Sequence, residues 1–388
     1  MSKQFYIFLL FILPSLFLSF ELPFTIETIH SDIADTSTYG RDLVQDDEIE
    51  ITTSSLDRLM VQLCIGKDEQ CIKTKLTSTS PYVWVVNKNI YDKGFDPVSS
   101  GSVDTGEKLS IAELYGYVRG PVYQDNVKIG KYNVKNMSFL VTNSENFKYD
   151  EYQGAIGMGY LYDNSIKEYS FLDKLHESLE INDKRFYIKY TGPKTGVIRF
   201  GDYPHEVITD QQRYAYKECS LLDTRNENGK EVPNNKWECA LKGIYYETQQ
   251  GDIQYILTND RVQFSLGSNV NSFPKDIWDK FVGHYMQKYI DSGECYIDSK
   301  MKWLDVIYCD QNFKYEKLGE VSYIIGKWSL KFEAKDLFNV IGDKLRFGIY
   351  GHKGKQLFLL GYYLFRKYIV VFDKYKKKMG VYLNNSIN

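Results

Sequence analysis

Proline and histidine are scarce in this 388-residue chain, with 9 and 5 residues respectively. Few prolines leave long stretches free to run as uninterrupted strand. The five histidines, His30, His176, His205, His284 and His352, are too dispersed to suggest a metal site. The stretch "LHESLE" around His176 has no second histidine at zinc-binding spacing. No Gly-x-Ser-x-Gly elbow occurs, so a serine-hydrolase nucleophile has no local signature. Neither sign of charge dominates: 48 Lys and Arg stand against 51 Asp and Glu, a formal net charge of −3. Without a basic field there is no case for nucleic acid as a partner. Long apolar runs are also few. The first, Phe5 to Phe20, is shorter than the roughly 20 residues that span a bilayer, and Pro14 interrupts it. The second, Leu357 to Phe372, carries Arg366 and Lys367 in its middle. The mature chain is therefore expected to have no membrane span, to need no metal or other cofactor, and to be a monomer.

What is present points to the secretory route. Residues 1–20 read as a signal peptide, with Lys3 before the apolar run and a cut placed loosely near Phe20 to Phe24. Residues 21–57 form an acidic leader or pro-like segment, with Asp46, Asp47, Glu48 and Glu50, or else a plain flexible tail. Six cysteines in an oxidising compartment suggest three disulfides, and near-neighbour pairing gives Cys64–Cys71, Cys219–Cys239 and Cys295–Cys309. The first of these flanks a Gly-containing turn that would bring its cysteines opposite one another. Two sequons, at Asn136 and Asn384, fit secretion into an oxidising lumen or the medium.

Tyrosine (33) and phenylalanine (22) are abundant, and aromatic and β-branched runs dominate from Arg58 onward. Short strands separated by Gly-containing and polar turns are expected throughout. The helical periodicity is clearest over Tyr169–Leu179 and Pro274–Ile290. Two halves, residues 58–208 and 209–388, repeat one order: a hairpin, a hydroxyl-rich turn, a helix and a strand ending in Gly. The apolar-apolar-Gly elements are Ala155-Ile156-Gly157 and Leu359-Leu360-Gly361. The run Lys374, Lys376, Lys377 and Lys378 reads as a solvated turn in preference to an anionic docking patch.

The stretch "LFLLGYYLFRKYIVVFDKYKKKMGVY", with "GAIGMGY" and "MVQLCIG", resembles the pepsin-like aspartic proteases over about Arg58 to Tyr382. The resemblance implies a mostly β, bilobal pepsin-like fold with a central cleft. It also implies two Asp-Thr/Ser-Gly loops facing each other, where two close carboxylates share one proton and activate water. Register from Trp84 places the first loop on Thr77, Ser78, Thr79 and Ser80, and the second falls on Ser265, Leu266 and Gly267, followed by Ser268. Neither carries an acid, so no catalytic residue is assigned. Asp260 lies five positions upstream of Ser265, roughly 16 Å along an extended strand. The family's cleft-covering hairpin carries a Tyr where this chain has Glu113, with Tyr115 two residues on.

A hydroxyl has no pKa suited to holding the shared proton. The reading is therefore a catalytically silent relative whose cleft holds a peptide or protein, lined by Thr77, Ser78, Thr79, Trp84, Glu113, Tyr115, Ser265, Gly267 and Ser268. The alternatives are an aspartic-type endopeptidase with a divergent site, or a non-catalytic structural protein.

Overall fold

The computed structural model describes residues 20–27 and 58–384, apart from 114–115, 131, 144–151, 161–163, 179–180, 191–194, 202, 205–215, 228–229, 235, 249–250, 269, 302 and 354–357. The fold is mostly β, as the strand-like composition implies. Two large sheets carry it, one of 13 strands and one of 11. The helices are short; the longest, Lys275–Tyr285, has 11 residues. Among the described residues no helix is long and apolar enough to cross a membrane.

The local patterns behave as their periodicity requires. Strands Arg58–Ile65 and Gln70–Thr77 form a tight hairpin with Cys64 directly opposite Cys71, and these two are bonded. Cys295 and Cys309 face each other in the same way, and Cys219 joins Cys239. All three near-neighbour pairings hold. The helix expected over Tyr169–Leu179 is Phe171–Glu177, capped by the Ser170 hydroxyl. The one expected over Pro274–Ile290 breaks at Met286, whose φ of −122° is not helical, into Lys275–Tyr285 and Gln287–Asp291.

Two features depart from the sequence reading. Phe20–Glu27, assigned there to the end of the signal and the start of the leader, is a strand. It lies between Thr195–Phe200 and Arg58–Ile65 in the larger sheet. The rest of the leader, residues 28–57, falls outside the described residues. The two halves also interleave: the C-terminal hairpin, Tyr368–Asp373 with Lys378–Leu383, adds to the first half's sheet by pairing with Arg185–Tyr190.

That exchange builds a shared aromatic core. Phe372 stacks on Phe186 with ring centroids 4.5 Å apart. Trp237, fully buried, packs edge-on against Phe372 at 5.1 Å and Tyr160 at 5.3 Å. Its indole N–H donates to Met158 O at 2.7 Å, so one side chain of the second half is anchored in the first.

The basic run is a turn in which Lys374, Lys377 and Lys378 are paired with carboxylates and Lys376 meets the Tyr203 hydroxyl. Lys377 meets Asp223 at 3.1 Å and Lys378 meets Glu218 at 2.8 Å. Lys374 reaches Asp173, which also pairs with Lys184 at 2.8 Å. Burial alone would raise the Asp173 carboxyl, but the ammonium groups of Lys374 and Lys184 and the Ser170 hydroxyl outweigh it and hold it below the usual range. A carboxyl with a depressed native pKa stabilises the fold above its unfolded pKa, and this contribution disappears as pH falls through the native value. Asp173→Asn should therefore lower stability by about 3 kcal/mol at neutral pH, since it leaves two lysines beside a buried neutral group. The gap from wild type should close on acidification, as read from urea midpoints between neutral pH and the acid limb. A gap that stays constant with pH would contradict this account.

Candidate functional site

Each half threads an apolar-apolar-Gly strand between the two limbs of its hydroxyl loop. In the first half, Gly154–Gly157 runs parallel to Gln70–Thr77, with Leu76 opposite Ile156 and Thr77 opposite Gly157. It runs antiparallel to Trp84–Val86 on its other side. In the second half, Phe358–Leu360 runs parallel to Ile253–Phe264 and antiparallel to Asn271–Pro274. The glycines at these crossings are sterically required. A Cβ on Gly157 would lie 2.3 Å from Tyr82 O, and one on Gly361 would lie 2.4 Å from Val270 O.

The crossings aim the two loops at each other. Thr77 ends its strand, and its carbonyl accepts from Met158 N–H at 2.6 Å. Ser265 N–H donates to Leu360 O at 2.8 Å. Asn271 Oδ1 accepts from Gly361 N–H at 2.9 Å and fixes the loop's far limb. Between the halves stands Ser78. Its hydroxyl donates to Phe264 O and accepts from Leu266 N–H, both at 2.9 Å. These partners flank Ser265, so the bond brackets the junction. The reciprocal position is Leu266, which has no hydroxyl to return, so the brace runs in one direction. Thr77 Oγ1 lies 2.8 Å from Thr79 Oγ1 and 3.0 Å from where a Cβ on Gly267 would stand. Ser268 turns inward on its own loop, bonding to Val270 O at 2.9 Å. Thr77, Ser78 and Ser265 are all buried, and Ser265 Oγ meets no hydrogen-bond partner among the described residues.

The sequence reading thus brings Thr77, Ser78, Thr79, Ser265, Gly267 and Ser268 to one junction. It misplaces Trp84, which is fully buried and covered by Tyr152 and by Ile111 and Val118 of the hairpin above it, so it supports the site from beneath and does not line it. Glu113 closes that hairpin by pairing with Gly116, and Tyr115 lies outside the described residues. Lys75 was missed: buried, it sits two residues before Thr77, with its ammonium 4.9 Å from the Tyr152 ring and 5.7 Å from Trp84. Strand alternation puts residues i and i+2 on one face, and that signal would have found it.

No acid stands on either loop. The buried carboxylates among the described residues are Asp173, Glu238, Asp305 and Asp373, and each has a cation elsewhere. Glu238 meets Arg261 at 3.4 Å, Asp305 meets Lys353 at 2.6 Å and Asp373 meets Arg185 at 3.5 Å. The described histidines contact other groups: His176 meets Asn182 O at 3.2 Å, His284 the Tyr246 hydroxyl at 2.7 Å and His352 Lys353 O at 3.1 Å.

The family model for eukaryotic aspartyl proteases matches residues 59–382, nearly all of the chain that carries these crossings. The chain belongs to that family. Two fungal relatives, vacuolar protease A of Arthroderma otae and probable vacuolar protease A of Trichophyton verrucosum, are each 30% identical over 109 residues. The chain spans little more than a quarter of the length of either, 28% and 27%. The crystal structure of the aspartic proteinase from Irpex lacteus superposes with a TM-score of 0.64, covering 84% of this chain and 94% of that one. At 16% identity it is a likeness of fold.

Ser78→Ala should cost about 2–4 kcal/mol, because it leaves the Leu266 N–H and the Phe264 carbonyl buried without their partner. Urea unfolding measures the loss. A change within experimental error would mean the hydroxyl does not brace the two halves.

Proposed function

We propose that this member of the aspartyl protease family is a secreted, catalytically silent protein whose interlobe cleft grips an extended peptide or protein segment. The observation that carries this reading is the junction itself. By sequence register Thr77 and Ser265 fall where the resemblance expects the family's two aspartates, and the buried carboxylates among the described residues are each paired with a cation. Peptide hydrolysis by this family's chemistry needs one group to accept a proton from water and another to donate one to the substrate carbonyl. Thr and Ser hydroxyls do neither near operating pH. A hydroxyl nucleophile would need a base in reach, and no described histidine or carboxylate supplies one.

Loss of chemistry leaves the grip available. The hairpin of Val103–Glu113 and Gly116–Ile129 packs on Trp84, next to the first loop, and an extended chain in a cleft is held through its backbone groups with side chains in alternate pockets. Secretion is supported by three disulfides, which persist in oxidising compartments.

The test is incubation of the purified, acid-treated protein with denatured haemoglobin at mildly acidic pH, with and without pepstatin. No pepstatin-sensitive fragments are expected. Their appearance would establish the alternative, an aspartic endopeptidase with a divergent site, and end this reading.

The two sequons differ in the fold. Asn136 is exposed within the strand Tyr132–Thr142, where the backbone takes a φ of 51°. Asn384 is 5% exposed and its amide nitrogen donates to Tyr190 O at 2.9 Å, a burial that disfavours a glycan there. In a eukaryotic secretory host, Asn136→Gln should remove the mass of one glycan and Asn384→Gln none. A glycan lost in the second variant would overturn the assignment.

A further inference from the structure

Away from the cleft, a cavity of about 730 Å³ opens beside the helix Tyr362–Lys367. Its charged lining is Lys331, Lys335, Arg366 and Lys367 against Glu320, Glu333 and Asp336, four cations to three anions. The anions are matched. Glu320 takes Lys331 at 3.1 Å, Glu333 takes Lys335 at 3.0 Å and Asp336 takes Lys367. Glu320 also accepts from the Ser322 hydroxyl at 2.8 Å. Arg366 is the cation left over. It gives one N–H to the neutral Asn339 Oδ1 at 2.7 Å, and its guanidinium lies 5.5 Å from the Tyr362 ring. Neither contact neutralises it, and most of its five donors are unspent. Tyr368 and Leu383 supply apolar wall in the same space, with the buried Tyr363 behind them.

A guanidinium fork matches the two oxygens of a carboxylate. The volume falls within the range of small-molecule pockets, which combine apolar walls with a few polar anchors. We propose that this cavity binds a small carboxylate carried on an aromatic or aliphatic body, with Arg366 holding the carboxylate and Tyr368 and Leu383 contacting the body. The site is separate from the interlobe junction and does not depend on whether the cleft is silent.

Calorimetric titration of the whole chain with 3-phenylpropionate tests it, beside 3-phenylpropanol, which lacks the charge, and acetate, which lacks the body. Saturable binding of the acid is expected, with both comparison compounds at least about tenfold weaker, a difference of roughly 1.4 kcal/mol. Arg366→Gln should weaken the acid by about tenfold or more, and Arg366→Lys by less, since an ammonium keeps the charge but not the fork. Leu383→Glu places an anion at the cavity wall on a 44% exposed residue, where misfolding is no concern, and should weaken binding comparably. The proposal falls if the acid shows no saturable heat at tens of millimolar, if the alcohol binds as well as the acid, or if Arg366→Gln and Leu383→Glu both bind like wild type.

Discussion

Two loops from distant parts of the chain must meet in a buried junction, and the meeting requires every buried backbone group there to find a partner. Ser78 meets that requirement for two of them at once, Phe264 O and Leu266 N–H. The rest of the site follows from it. Gly157 and Gly361 lie where a third strand passes between the limbs of each loop, closer than any side chain permits. Asn271 holds one crossing and Met158 N–H the other. Trp237 connects this junction to the aromatic core, because its carbonyl accepts from Phe264 N–H while its indole reaches Met158 O. None of these contacts involves a carboxylate, so the architecture of the meeting point is independent of the acid pair that the family's chemistry uses.

That independence explains how the fold accommodates hydroxyls. Two carboxylates a few ångströms apart cannot both ionise, and a buried charge without a partner is expensive. Thr77 and Ser265 impose no such cost. They leave a weaker demand, the hydrogen-bonding capacity of Ser265 Oγ, of the kind that an ordered water or a polar group of a bound chain satisfies. The second loop has gone further than the first: with Leu266 at its centre it receives the brace from Ser78 and returns none.

The sequence displayed the parts of this structure whose signal is local. A short Gly-containing turn between Cys64 and Cys71 announces a hairpin with its cysteines opposed, and the pattern around Leu359-Leu360-Gly361 announces a strand that must end in close approach. What it hid depends on partners far along the chain. Nothing near Val371 and Phe372 shows that their strand will pair with Arg185–Tyr190 and not with its own half. Trp84 reads as a cleft aromatic because its position suits one, yet the hairpin 103–129 closes over it and makes it core. Asn384 satisfies the sequon pattern, but Tyr190 O, 194 residues away in sequence, claims its amide. The Pro274–Ile290 helix was legible in type but not in extent, since periodicity continues past Met286 where the backbone does not.

The placement of charge separates what acid should do to the fold from what it should do to the cleft. Two buried carboxyls, Asp173 and Asp305, sit in lysine pairs, and both are held low once the ammonium groups beside them outweigh the effect of burial. Acidification therefore loosens the packing around those pairs before it changes any charge between the hydroxyl loops. In a relative built on a shared proton, ligand binding and catalysis change with the ionisation of the pair itself. Here the two loops meet through the hydroxyls of Thr77 and Ser265, which stay neutral across that range. Acid therefore acts on the fold through the lysine pairs of Asp173 and Asp305, whereas the hydroxyls of the two loops do not titrate.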